Sequence, residues 1–168
     1  ATSTGLALLR ELGAAGDQPL VVAAVRYLLD TFDVPRGVWP IVPPAVEDAP
    51  HAPWWSYAES EATFDGFLVN PRAALAGHLY HFAPELAAGV LSAISPSLLA
   101  QVESMPDDAA NMHDLLALLE LAEADNLPAE QRRRLVDKLR RAVPASLATD
   151  PGQWQEYALR PLQVAPTP

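Results

Sequence analysis

Between positions 48 and 55 the chain reads Asp-Ala-Pro-His-Ala-Pro-Trp-Trp. An acid, an imidazole and two adjacent indoles so close together could do two kinds of chemistry. Asp48 and His51 could form an acid–base pair, since an imidazole takes up or gives up a proton near neutral pH. Trp54 and Trp55 offer flat apolar faces suited to a hydrophobic or sugar-like ligand. Glu59, Glu61 and Asp65 follow closely and could supply a carboxylate pair, so Asp48, His51, Glu59 and Glu61 are the catalytic candidates. The plainer alternative is an irregular arm in which the tryptophans pack, the polar groups satisfy backbone and the carboxylates stay in water.

His78 and His81 are three apart, a spacing that puts both on one helix face. With Glu85 or His51 they could hold a divalent metal. The alternative is two half-buried histidines beside Tyr80 and Phe82. Pro84 interrupts the helix, so helical spacing does not place Glu85. The set is incomplete, and neither a metal nor a cofactor is expected. His113-Asp114 reads as an oriented imidazole or as a helix-start feature. There is no Cys, which excludes a disulfide framework, a thiolate metal site and a Cys nucleophile. A Gly-rich phosphate loop, a Ser elbow and a His-Glu-x-x-His motif are also missing.

The charge is uneven. Residues 1–127 carry 17 acidic residues against four Arg, and residues 128–168 carry four against seven bases, within a net charge of −10. Arg132, Arg133, Arg134, Lys138, Arg140 and Arg141 could make an anion or nucleic-acid patch. The alternative is a solvated helix face near a C-terminus, where cations interact favourably with the helix dipole. Three consecutive Arg spread around a helix, no aromatic residues interleave with them, and the acidic remainder repels nucleic acid. No nucleic-acid partner is expected.

The elements that must position these groups are helical. Residues 4–15 read as a short helix with Leu6, Leu9 and Leu12 in a stripe. Pro19 opens a helix over 19–32 that is apolar over most of its circumference, which predicts burial inside a helical array. Residues 33–69 hold Pro35, Pro40, Pro43, Pro44, Pro50 and Pro53, which forbid long helices. The same stretch carries Trp39, Trp54, Trp55, Tyr57, Phe64 and Phe67, half of the chain's twelve aromatic residues. It reads as an ordered arm packed across helix ends. Asn70 as cap and Pro71 at the first position start a helix over 71–82. Further helices are expected over 84–94, 96–104, 108–124 and 128–142, with Pro144 as a break or kink and a short turn within 152–159. The expected domain is 1–160, with an extended proline-rich tail over 161–168. No strand, membrane span or signal peptide is expected.

One pattern occurs twice. A helix ends at Leu28-Leu29-Asp30 and is followed by Asp33-Val34-Pro35-Arg36-Gly37-Val38-Trp39. Another ends near Leu147 and is followed by Asp150-Pro151-Gly152-Gln153-Trp154. Gly permits a left-handed turn after a helix, and Trp can fold back over helix ends. At these residues the chain resembles the terpenoid cyclase and protein prenyltransferase superfamily, whose repeats, as in squalene–hopene cyclases, join paired helices through Gly-x-Trp turns. The resemblance covers about a quarter of the chain. It implies an array of α-hairpins that closes into an (α/α)6 toroid in full-length members. This chain would form an arc, a truncated part or half of a dimer. The family's mechanisms do not carry over. There is no Asp-x-Asp-Asp proton donor, since Asp107-Asp108 is only a pair, and the prenyltransferase zinc site needs a Cys.

The expectation is therefore an all-α, α-hairpin repeat array with a long proline- and aromatic-rich arm. Its expected role is to bind a hydrophobic, isoprenoid-like small molecule through Trp39, His51, Trp54, Trp55, Tyr57 and His78, without cyclase chemistry. A protein-interaction scaffold is the alternative, and an enzyme using Asp48, His51 and a nearby Glu is third. One Lys against ten Arg points to a GC-rich bacterial source, and a cytoplasmic location is expected.

Overall fold

The computed structural model describes residues 2–57, 69–108, 110–155 and 158–165. The fold is all-α. Seven α-helices are present among these residues: α1 (Thr2–Glu11), α2 (Pro19–Asp30), α3 (Arg72–Phe82), α4 (Ala88–Ser104), α5 (Met112–Ala122), α6 (Ala129–Ser146) and α7 (Pro161–Val164). Short 3-10 turns occupy Pro44–Asp48, Pro53–Trp55 and Pro151–Gln155. Strand pairing among the described residues is limited to two isolated bridges, Asp33 with Val38 and Leu147 with Leu159. No helix among them is long and apolar enough to cross a membrane.

The centre of the molecule is α3. Every residue of this helix except His81 is buried. Its small side chains, Ala73, Ala74, Ala76 and Gly77, let other helices come close on several sides. α5 comes closest: a Cβ on Gly77 would lie 3.0 Å from the Leu121 Cα and 3.1 Å from the Glu120 carbonyl oxygen. α1, α2 and α4 pack around the rest of α3, and α6 closes the far side against α4 and α5. Leu79, Ile94, Leu115, Leu118 and Leu135 fill the space between them.

Several boundaries differ from those the sequence suggests. The helix buried all round is α3, whereas α2 buries only the Val21, Val25, Leu28 face and leaves Leu20 and Tyr27 exposed. Pro71 rather than Asn70 stands at the cap of α3, and the Asn70 amide donates instead to Asp114 Oδ1 at 3.0 Å. Pro96 does not start a new helix. α4 runs through it, and Ser97 Oγ donates to the Ile94 carbonyl at 3.0 Å beside the interruption. α6 likewise continues past Pro144. α5 starts four residues later than Asp108, where Asn111 Oδ1 accepts the His113 amide at 2.8 Å. Residues 161–164, expected in an extended tail, form the short α7.

The two Gly-x-Trp turns agree in part. Trp39 Nε1 donates to the Leu28 carbonyl at 2.7 Å, and Trp154 Nε1 donates to the Ala148 carbonyl at 2.8 Å. In both, the preceding Asp caps the turn: Asp33 Oδ1 accepts from the Arg36 amide and Asp150 Oδ1 from the Gly152 amide. Gly37 adopts the left-handed backbone at φ +66°, a conformation that strains any side chain. Gly152 does not adopt it. Trp39 is buried against Phe32, with ring centroids 4.8 Å apart, while Trp154 is 39% exposed.

Candidate functional site

The arm folds back from the Gly37 turn and encloses a cleft of about 540 Å3 against α1, α2 and the start of α3. Its wall is mainly apolar: Leu28 and Tyr27 from α2, Trp39, Ile41, Val42 and Val46 from the arm, and Leu75 from α3. Thr2, Ser3, Thr31 and His51 supply the polar atoms. This volume is in the range of small-molecule sites, roughly 300–1,000 Å3. The prolines explain the shape. Pro40, Pro43 and Pro71 lie in the wall; Pro43 is in extended backbone before its 3-10 turn, and Pro71 caps the start of α3.

Three of the candidate ligand-binding residues meet here. Trp39 forms the closed floor, and His51 and the exposed Trp55 stand together in the wall. The His51 ring is held by two contacts: Nδ1 lies 2.8 Å from the Ala49 carbonyl, and Nε2 lies 3.7 Å from Glu47 Oε2. The carboxylate beside His51 is thus Glu47, and Asp48 ends its 3-10 turn exposed. Glu47 also accepts from Ser56 Oγ at 3.0 Å and from the Tyr57 amide at 2.5 Å, which ties the two 3-10 turns together. Tyr57 is half-buried and is not part of the wall. The side chain of Trp54 and residues Glu59, Glu61 and Asp65 lie outside the described residues.

His78 stands one hydrogen bond behind the wall. Its Nε2 is 3.3 Å from Ser3 Oγ, which faces the cleft, and 3.6 Å from Glu120 Oε2. Burial pulls the His78 pKa down from 6.5 to about 4, with Arg10 and His81 adding to the shift and Ser3 opposing it. The imidazole is therefore neutral at pH 7. Burial also raises the Glu120 carboxyl, partly opposed by Arg10. Both Glu120 and Ser3 meet the same ring nitrogen, and Nδ1 has no hydrogen-bond partner. A nucleophile–base–orienter relay uses both nitrogens, so this cluster lacks that arrangement. His81 turns away toward Asp125, 3.2 Å distant. Among the described residues no three His, Asp or Glu side chains gather as metal ligands would.

The basic stretch on α6 is neutralised within the fold. Arg133 meets Glu130 at 2.6 Å, Arg134 meets Glu103 at 2.6 Å, and Arg140 lies 3.8 Å from Asp137. Lys138 and Arg141 share Asp107, at 2.5 and 3.0 Å. Arg132 donates to the carbonyls of Ala122 and Ala124 at the C-terminal end of α5, where a cation opposes the helix dipole.

Sequence reasoning missed Tyr27, Thr31, Val42 and Val46 as wall residues. A signal existed for two of them. Tyr27 and Thr31, the C-cap of α2, are four apart and so share a side of the helix about 120° round from Val21 and Val25. No family model matches the chain, and neither does any curated protein or solved structure.

Proposed function

We propose that the chain binds a hydrophobic, isoprenoid-like small molecule in the cleft between the arm and α2, without cyclase chemistry. The observation that supports this most directly is the cleft itself: about 540 Å3, apolar over most of its wall, with Trp39 at its base and Trp55 beside His51. An apolar ligand placed there removes indole, leucine and valine surface from water, worth about 25 cal/mol per Å2. His51, Thr31 and Ser3 give such a ligand a polar end to orient on. The Trp39 turn, with its left-handed Gly37, also supports a kinship with the α/α toroids, and the Trp154 turn supports it in its indole bond and its Asp cap but not in its glycine.

Titration with farnesol tests the reading. Tryptophan fluorescence should quench saturably and the Tm should rise, because a ligand that prefers the folded chain stabilises it by mass action. Val46→Trp, which fills the cleft, and the double variant His51→Ala, Trp55→Ala should both abolish the response while leaving the helical signal intact. If both variants respond like the parent, the site is elsewhere. If the parent shows no saturable response, the scaffold reading replaces this one.

A further inference from the structure

Arg72 is the first residue of α3, and its side chain is buried to 4% exposure with no acid beside it among the described residues. Its Nη1 donates to Ser97 Oγ at 3.2 Å and to the Gly37 carbonyl at 3.4 Å. Nε and Nη2 are buried and have no hydrogen-bond partner. These two nitrogens are not an arbitrary pair. In a guanidinium, Nε–H and one N–H of Nη2 point in parallel from a single edge. That edge matches the two oxygens of a carboxylate or a phosphate. Leaving it bare in the interior is costly, because a buried cation without a partner forfeits its hydration and gains nothing in return. Burial alone shifts the Arg72 pKa downward, with no carboxylate opposing it.

The other buried cation shows what a satisfied one looks like. Lys138, also at 4% exposure, donates to Asp107 Oδ1 and to the Met105 carbonyl. Gly37 and Ser97 hold Arg72 by its third nitrogen, and its two-nitrogen edge is buried with no hydrogen-bonding partner among the described residues.

We propose that Arg72 is an oxyanion-binding residue, taking a carboxylate or phosphate on its Nε–Nη2 edge at the junction of the Gly37 turn, α3 and α4. Gly37 and Ser97 orient the guanidinium and do not themselves contact the anion. The anion could come free from solution or as the acid head of a longer ligand, since Pro71 and Leu75 on either side of Arg72 line the cleft. The proposal does not depend on the cleft holding an isoprenoid-like molecule.

The test measures Tm in inorganic phosphate, acetate, decanoate and decanol against sodium chloride at matched ionic strength. For the parent chain, phosphate or acetate should raise the Tm saturably. A rise with decanoate but with neither small anion nor decanol assigns the acid head as the source. Arg72→Met should weaken the response about tenfold or more, the loss expected for a charged bidentate contact. Arg72→Lys keeps the charge and loses the edge, so it should weaken the response as well. If Arg72→Met does not fold, Arg72→Lys and Ser97→Ala, which frees the guanidinium to swing, carry the comparison. Val46→Trp should leave the phosphate response unchanged, which separates this site from the cleft. The proposal is overturned if no oxyanion stabilises the parent, or if the variants at position 72 respond as the parent does.

Discussion

The two buried cations divide the molecule. Around Lys138 the helices α4 and α6 bring every charge to a partner: the six cations of α6 end on Glu103, Asp107, Glu130, Asp137 or the carbonyls closing α5. Around Arg72 and along α3, a guanidinium edge and the His78 Nδ1 are left without hydrogen-bond partners. The first region is a scaffold that has settled its electrostatics internally. The second, which also contains the cleft, has not. A dense run of charge can thus be structural, while a lone buried arginine in an acidic stretch keeps two nitrogens without hydrogen bonds. Density of charge along the chain says little about which charges remain free after folding.

The largest effect should come from the anchor of the open region. Trp39→Ala removes a buried indole, its bond to the Leu28 carbonyl and the contact with Phe32, and should destabilise by about 3–5 kcal/mol in denaturant unfolding. A loss below about 1 kcal/mol would mean that the arm is not held by Trp39. Next is the pH dependence of His78. Its folded pKa of about 4 lies below the ordinary 6.5, so between these values the unfolded chain binds a proton that the folded chain refuses. Stability should therefore fall as the pH drops from 6.5 to 4, by on the order of 3 kcal/mol. Glu120 works the other way, since its raised pKa makes the folded chain hold a proton at a higher pH than the unfolded chain does. Glu120→Gln should steepen the acid-side loss, and His78→Leu should flatten it; equal pH profiles in all three proteins would remove His78 from the account.

The two cations then separate by the size of their effects. Lys138→Met leaves the Met105 carbonyl unsatisfied and Asp107 with only Arg141, and should cost about 1–3 kcal/mol. Arg72→Met, without added oxyanion, should cost no more than about 1 kcal/mol, because an apolar chain replaces a charge that has no counter-ion. Equal losses would erase the contrast. The smallest effect belongs to the surface pairs. Arg133→Ala should leave the Tm unchanged, since an exposed ion pair with Glu130 is screened and entropically costly to hold.

The helical class was legible because the prolines, caps and leucine stripes agree with one another. Leu6, placed in an apolar stripe from spacing alone, is fully buried, whereas Leu12 of the same stripe lies beyond the end of α1 and is exposed. Trp39, His51 and Trp55 were legible as a group because prolines keep long helices out of the arm, so its aromatic and polar side chains had to pack together in short turns. What failed were inferences from single residues. Pro96 looks like the first residue of a new helix, yet α4 runs through it. The partner of His51 is Glu47 rather than Asp48, because a 3-10 turn over Pro44–Asp48 decides which carboxylate faces the ring. Arg72 could not be recognised, since its isolation depends on where Gly37 and Ser97, 35 and 25 residues away, come to rest.

Gly77 gives the molecule a point of adjustment. A methyl there would stand 3.0 Å from the Leu121 Cα and would press on backbone, which cannot swing aside as a side chain does. The helix pushed away from α5 is the one that carries Leu75 into the cleft, Arg72 at its start and His78 one residue beyond. A single added carbon on the opposite side of α3 therefore acts as a shim. It moves the cleft wall, the buried guanidinium and the buried imidazole together by a few tenths of an ångström, while touching none of them.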